Sequence, residues 1–579
     1  MTTFRVCWCF HRKFRGATDG PPKPIKDLFS SYSDNGFMGL DHLQRFLVEV
    51  QGETSATRET AKKILESRDS KHVFQKKGFN LDGFFRYLAG DDNPPLNPSL
   101  GVYQDMTAPL SHYFIYTGHN SYLTGNQLSS DASDVPVINA LQRGVRVIEL
   151  DIWPNSTNTE VEVRHGRTLT TPAEFSKCVR SIRENAFVAS PYPVIITLED
   201  HLTPDLQAKV AQILIETFGE MLFYPKSESL EEFPSPEDLK LRIIISTKPP
   251  KEFLESKSMK DKEHELQKKS EEEPWGESDG DFEHKIEHDH DEHGEEDHDD
   301  GDQFYHQPTA PEYKHLIAIS AKKGSHKELS DSLKVDPHKV SRLSLSEQSF
   351  AKAIVSHGPE IIRFTQRNLL RIYPKGTRVT SSNYNPVLGW IHGAQMVALN
   401  MQGYGRSLWL VHGMFRANGG CGYVKKPDFL LNTNQDGKVF NPNTTLPIKK
   451  VLKVRVYMGD GWRLDFHRTH FDQYSPPDFY TRIGIAGVSA DTVMMRTKAI
   501  EDNWAPFWDE EFTFPLTVPE LALLRIEVHE YDLNKGDDFG GQTCLPVWEL
   551  RSGIRAIPLC NRKGEKLNHV KLLMRFEFL

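Results

Sequence analysis

The chain has 579 residues, 38% of them hydrophobic, and a formal net charge of −10; this is enough apolar material for several cores, and the length predicts three or four domains. No run of about eighteen apolar residues occurs, and the first residues set Arg5, Arg12, Lys13 and Arg15 around few apolar positions, so neither a membrane span nor a secretory signal is expected and the protein is predicted to work inside the cell. Six cysteines, Cys7, Cys9, Cys178, Cys421, Cys544 and Cys560, are too few and too scattered for a disulfide framework, in keeping with a reducing compartment.

Residues 1–24 form an N-terminal segment in which Cys7 and Cys9 are the one close cysteine pair. Basic and aromatic neighbours make them candidates for lipid attachment, although two ordinary thiols in a frayed terminus are the commoner case. After the joint Pro21-Pro22-Lys23-Pro24, residues 25–100 show helical periodicity, with apolar clusters at Leu28, Phe29, Phe37, Leu43, Phe46 and Leu47. This stretch resembles half of an EF-hand lobe. Its loop Ser31 to Gly36 has the turn glycine but puts Ser at the first and third ligand positions and His42 at the twelfth. A calcium loop needs acidic ligands there and a bidentate Glu last, so a structural lobe is expected.

Residues 104–248 alternate short apolar strands with helical stretches such as Pro136 to Leu141 and Thr171 to Asn185, the pattern of an α/β unit with a parallel sheet. Residues 249–312 are predicted to be a disordered linker: charged, nearly free of aliphatics, and unable to bury enough apolar area to offset the entropy of ordering. Between Glu271 and Asp302 it carries 17 acidic residues against one lysine, so the rest of the chain has a net charge of +6, which suits an anionic membrane surface. His284, His288, His290, His293 and His298 in this tract are weak zinc or copper candidates; a solvated tail is the commoner meaning. Strand and helix alternation resumes over 313–430, beginning near His315 to Ile319. Residues 433–579 turn all-β, with runs at Val451 to Tyr457, Tyr480 to Ile485 and Leu523 to Val528, as expected of a sandwich.

The chemistry concentrates in the first α/β unit. Strand-like runs end in Arg146-Val147-Ile148-Glu149-Leu150-Asp151 and Ile195-Ile196-Thr197-Leu198-Glu199-Asp200, in company with Gly118-His119-Asn120-Ser121 and His165-Gly166-Arg167-Thr168. A strand alternates its side chains between faces, so Glu149 and Asp151 point the same way and can grip one cation. With the amide oxygen of Asn120 they make an all-oxygen set that suits a hard ion such as Ca²⁺ better than zinc, and both imidazoles remain for proton transfer. A single histidine is usually a satisfied core or surface residue; the order His-Asn, Glu-x-Asp, His, Glu within about eighty residues is what points to a barrel enzyme.

Tyr116 to Leu123, Arg146 to Trp153 and His165 to Thr171 resemble the first catalytic half of eukaryotic phosphoinositide-specific phospholipase C. Arg371 to Arg378, Ser381 to Tyr384 and Asn418 to Tyr423 resemble its second half. The likeness runs over roughly residues 25 to 579, in the module order of the short plant form, which lacks an N-terminal pleckstrin-type domain. It implies an EF-hand-like helical lobe, a TIM-type (β/α) barrel split into X and Y halves by the linker, and a C-terminal C2 β-sandwich. It also implies Ca²⁺ held by Asn120, Glu149, Asp151 and Glu199, with Glu149 and Glu199 as competing candidates for general base, His119 steadying the phosphate and His165 acting as general acid. Lys248, Ser344, Arg371 and Tyr373 match positions that contact inositol phosphates. Animal members often carry a second Lys two residues after the first, where this chain has Pro250, with Lys251 one further on. In the C2-like part, Asp472, Asp478, Glu530, Asp532 and Asp538 match calcium-binding loop positions, with Glu530 standing where many relatives have Asp.

The activity so implied is Ca²⁺-dependent cleavage of phosphatidylinositol 4,5-bisphosphate into diacylglycerol and inositol 1,4,5-trisphosphate. It would be carried out by a cytoplasmic, peripheral monomer that meets an anionic membrane surface through its C2 domain and has no nucleic-acid partner. A glycerophosphodiester phosphodiesterase shares the His-acid-His barrel but not the Arg371 to Tyr384 block or the C2-like tail. A calcium-responsive lipid-binding scaffold without turnover would not need every catalytic position filled, as they are here.

Overall fold

The computed structural model describes residues 2–5, 11–14, 20–66, 78–225, 230–247, 309–322, 329–467, 470–471, 475–532 and 536–579. Cys7, Cys9, Lys248, Asp472 and the acidic tract with its histidines lie outside them.

In the helical lobe, Lys23–Ser31, Leu40–Glu49, Arg58–Glu66 and Leu81–Leu88 bury Ile25, Phe29, Leu43, Phe46, Leu47 and Phe84. Met38 and Phe79 form a two-residue bridge between the helix pairs. His42 Nε2 lies 3.2 Å from the Asp34 carboxylate, so the residue at the twelfth loop position pairs with a loop acid. The lobe core continues into the last domain through Tyr457, Ile554 and Leu573. Around it the buried Arg555 donates to Glu53, Asn93 and the carbonyl of Gln51.

The central domain is a closed parallel barrel. Val147–Pro154, Val194–Asp200, Ile243–Thr247, Ile317–Lys322, Arg342–Ser346, Leu369–Tyr373 and Met396–Val397 run side by side in that order, each parallel to the next. The segment Thr117 to His119 closes the circle, bridging to Val147 on one side and Leu399 on the other. These strands read as nearly continuous apolar runs because a parallel barrel covers both of their faces. The two halves of the sequence are therefore halves of one sheet. Within the last residues of the predicted linker, Ala310 is buried and its N–H donates to Gln207, and the helical turn Pro311–Lys314 begins there and runs past the linker's predicted end at residue 312.

The predicted helix from Thr171 to Asn185 begins only at Phe175. Thr171 pairs with Asp131, and Ala173–Glu174 pairs with Val163 and Glu162, so local strand pairing takes the first residues. Beyond them Phe175, Cys178, Val179 and Ile182 make the buried helical stripe.

The C-terminal domain is an antiparallel eight-stranded β-structure, with strands from Lys450–Asp460 to Lys566–Phe578 enclosing a core that includes Trp462, Phe479, Ile526 and Leu572. It packs against the barrel helix Arg406–Met414, where Trp409 Nε1 donates to the Arg562 carbonyl at 2.8 Å.

Candidate functional site

Parallel register explains the convergence of the acidic groups. Glu149 and Asp151 share one face of Val147–Pro154, and the neighbouring strand places Glu199 opposite Asp151. One oxygen from each of the three carboxylates lies within 4.8 Å of the others, the one such group of possible ligands among the described residues. Three anions this close repel by on the order of 3 kcal/mol per pair at an effective dielectric of about 20, a cost that a divalent cation would reverse.

Asn120 joins them from a left-handed backbone, φ 41°, a conformation Asn tolerates better than most residues. Its N–H donates to Glu149 Oε2 at 3.2 Å, and its Nδ2 donates to Gln127 Oε1 at 3.0 Å. The amide orientation is thereby set, leaving Oδ1 as the oxygen a cation can use. The donor set is entirely oxygen and fits Ca²⁺ rather than a soft metal.

Both histidines are held at Nδ1. His119 Nδ1 lies 2.9 Å from Asn400 Oδ1, and His165 Nδ1 lies 2.7 Å from the Gln127 carbonyl. Oxygen acceptors at Nδ1 place the proton there and leave Nε2 for substrate chemistry. His119 Nε2 stands 4.0 Å from Glu149 Oε2, and its ring lies parallel to that of Tyr373, centroids 6.4 Å apart. Burial lowers the His119 pKa and Arg371 lowers it further, while Glu149 and the Asn400 hydrogen bond pull it back up. His165 does not stand at the end of a parallel strand; it follows Val161–Val163, an antiparallel extension of the Glu149 strand.

From the second half, Ser344 is the register partner of Arg371 on the adjacent strand. Arg371 Nη2 bonds Glu149 Oε2, and the guanidinium also lies over the Tyr373 ring, 5.2 Å from its centroid. Ser344 Oγ is buried with no hydrogen-bond partner among the described residues. Ser344, Arg371 and Tyr373 thus border the carboxylates.

The structure does not gather Asp478, Glu530, Asp532 and Asp538 in the same way: among the described residues they form no group of three close ligand atoms. Asp478 Oδ1 instead accepts from the Asp502 N–H at 2.7 Å. Asp537, which loop position alone did not single out, takes the Tyr480 hydroxyl and the Asp532 N–H.

Gln127 and Asn400 were not expected. Gln127 is buried and connects four groups: its Oε1 accepts from Asn120, its Nε2 donates to Ser381 Oγ at 2.7 Å and to Asn400 Oδ1 at 3.2 Å, and its carbonyl holds His165. An isolated amide in a polar stretch carries no periodic or charge signal, and its partners lie up to 273 residues away.

Family models match the chain in four places. They are an EF-hand-like domain of phosphoinositide-specific phospholipase C at 22–98, the phosphatidylinositol-specific phospholipase C X domain at 106–249, its Y domain at 315–429, and a C2 domain at 450–557. Phosphoinositide phospholipase C 2 of Arabidopsis thaliana is 60% identical over 100% of this chain and 99% of its own length. The chain belongs to the phosphoinositide-specific phospholipase C family, in its plant form. Phosphoinositide phospholipase C 7 of the same plant is 58% identical over 100% of this chain and 99% of that protein. A zeta-1 phosphatidylinositol 4,5-bisphosphate phosphodiesterase of Macaca fascicularis is 33% identical over 95% of this chain and 88% of that one. The crystal structure of S. officinalis PLC21 superposes with a TM-score of 0.73 at 25% identity, covering 96% of this chain and 68% of that one. As a phospholipase C the protein is an enzyme, and the cluster around the three carboxylates draws on both halves of the sequence. The carboxylates, Asn120 and both histidines come from the X half, and Ser344, Arg371, Tyr373 and Asn400 from the Y half.

Proposed function

We propose that the enzyme cleaves phosphatidylinositol 4,5-bisphosphate into diacylglycerol and inositol 1,4,5-trisphosphate, using Ca²⁺ held by Asn120, Glu149, Asp151 and Glu199. The observation that carries this reading is the convergence of the three carboxylates beside His119, whose Nδ1 is held by Asn400. When bound, the ion supplies positive charge that lowers the pKa of the inositol 2-hydroxyl and offsets charge on the phosphate. Glu149 or Glu199 takes the hydroxyl proton, and the 2-oxygen attacks phosphorus. His119, once it carries a second proton at Nε2, donates from that nitrogen to a phosphate oxygen as charge builds there, the anionic phosphate favouring the doubly protonated ring. His165, protonated at Nε2, passes that proton to the departing diacylglycerol oxygen, then accepts one from the water that opens the cyclic phosphodiester.

Ser344, Arg371 and Tyr373, together with Lys248, would select the headgroup, since ring phosphates need fixed cationic and hydroxyl donors. Among the described residues no helix is long and apolar enough to cross a membrane. The C2 match supports peripheral docking on the cytoplasmic face of the plasma membrane. Calcium bridging there would use Asp472, Asp478, Glu530, Asp532 and Asp538; unaltered calcium-dependent liposome binding by Asp532→Asn would remove that assignment.

The deciding experiment measures hydrolysis of phosphatidylinositol 4,5-bisphosphate, phosphatidylinositol and glycerophosphocholine across a calcium titration, with the headgroup products identified. Release of inositol 1,4,5-trisphosphate that vanishes in chelator is expected. Undiminished turnover in excess chelator, or glycerophosphocholine as the better substrate, would overturn the reading.

A further inference from the structure

Arg342 begins the strand Arg342–Ser346 and is fully buried. Its side chain crosses the barrel interior: Nη1 donates to Ser246 Oγ at 2.8 Å and to Thr197 Oγ1 at 3.2 Å. Thr197 is the register partner of Glu149 on one side and of Ser246 on the other. The guanidinium therefore lies at the level of Glu149. Its Nε and Nη2 are buried with no hydrogen-bond partner among the described residues.

Two neutral hydroxyls do not repay the desolvation of a guanidinium, and among the described residues no carboxylate makes an ion pair with it. Burial and the neighbouring Arg371 push its pKa down, to about 9, while Glu149 and Glu199 draw it up. It stays charged at neutral pH. Its electrostatic partners are thus the members of the catalytic group, met through space.

We infer that Arg342 is a positioning residue: a fixed positive charge on the barrel floor that sets how tightly the carboxylates hold a divalent cation and how tightly the loaded site holds an anionic phosphate. This rests on the reading of Glu149, Asp151 and Glu199 as a cation site. Three carboxylates with Arg371 and Arg342 sum to −1, so a divalent cation leaves +1 to meet a phosphate. Without Arg342 the same group sums to −2 and then to 0. Removing this charge should tighten the cation and loosen the phosphate. At an effective dielectric of about 20, a charge on the order of 10 Å away changes the affinity of a singly charged group by about tenfold and that of a divalent ion by about a hundredfold. Loss of fold or of packing would weaken both.

The test is calorimetric titration of the full chain with Ca²⁺, and then with inositol 1,4,5-trisphosphate in saturating Ca²⁺. The barrel component of the calcium heat is the part lost in Asp151→Asn. Arg342→Met is expected to bind Ca²⁺ about a hundredfold more tightly and the trisphosphate more weakly by about tenfold or more, while Arg342→Lys stays near the parent. Arg342→Gln, which can keep a hydrogen bond to Ser246, shows the same opposed shifts and replaces Arg342→Met if that variant does not fold. Unchanged affinities, or a weakening of both ligands, would overturn the role of Arg342 alone. Absence of Asp151-dependent calcium heat in the parent would overturn the cation site with it.

Discussion

His165 presents its Nδ1 to the main-chain carbonyl of Gln127 at 2.7 Å. A carbonyl only accepts, so the ring carries its proton at Nδ1 and works through Nε2. His119 is arranged likewise against Asn400. His119→Ala and His165→Ala are each expected to lower kcat by about 10²-fold or more, the usual scale for general acid–base groups. Near-normal hydrolysis by either purified variant would remove that histidine from the mechanism.

Gln127 serves both histidines and Asn120 at once, so its replacement should be costly although it need touch no substrate. Groups that orient metal ligands typically carry 10- to 100-fold in metal affinity or activity. Gln127→Leu should lose about that much kcat and raise the calcium needed for half-maximal rate. Gln127→Glu should do worse than its size suggests, because an acceptor-only carboxylate would face Asn400 Oδ1 and add an anion near Glu149. Steady-state rates across a calcium titration, with melting curves to separate folding from function, check this; a Gln127→Glu enzyme with parental calcium dependence would refute it.

Part of the acidic half of the site was readable in the sequence because strands impose period two, so Glu149 and Asp151 had to share a face and Glu199 ended a second apolar run; the parallel register that sets Glu199 opposite Asp151 is a property of the fold. The α/β alternation was readable from apolar runs spaced by helical stretches, while the closed barrel was implied by the family resemblance. Gln127, Asn400 and Arg342 were not readable. Each makes at least one contact across 145 to 281 residues of chain that no local period announces. Helix onset failed at Thr171 for the opposite reason, since strand pairing there outweighed the turn and helix signals.

Gly166 lies so close to the Trp153 ring that an added Cβ would sit 2.1 Å from Cζ2. The indole cannot easily retreat, because it is stacked on the His201 ring with centroids 3.8 Å apart. Gly166→Ala must therefore move the loop that carries His165. A displacement near 1 Å costs up to about 10²-fold in rate, whereas a half-exposed loop contributes little to stability. A loss of at least tenfold in kcat with little change in Tm is expected, and parental kcat in a folded Gly166→Ala enzyme would show that the loop position is not critical.

His412 couples the barrel to the last domain and should make stability depend on acid. Its Nε2 lies 3.1 Å from Arg143 Nη1, and Arg143 also donates to the Lys563 carbonyl. A guanidinium only donates, so His412 Nε2 must accept and the ring is neutral, with Nδ1 at 2.6 Å from the Tyr116 hydroxyl. Burial, then Arg143 and Arg416, push its pKa down to about 3. The folded value lies below the unfolded one, near 6.5. Above pH 6.5 the neutral ring is present in both states and its packing is fully felt. As pH falls through 6.5 toward 3 the unfolded chain takes up a proton that the folded chain refuses, so stability drops by about 1.4 kcal/mol per pH unit. His412→Gln removes that proton from the balance. The variant should be less stable than the parent at pH 7.5, and the gap in Tm should shrink steadily between pH 6 and pH 4. A gap that stays constant over that range would mean that the His412 ring is protonated in the folded protein, against the geometry around Arg143.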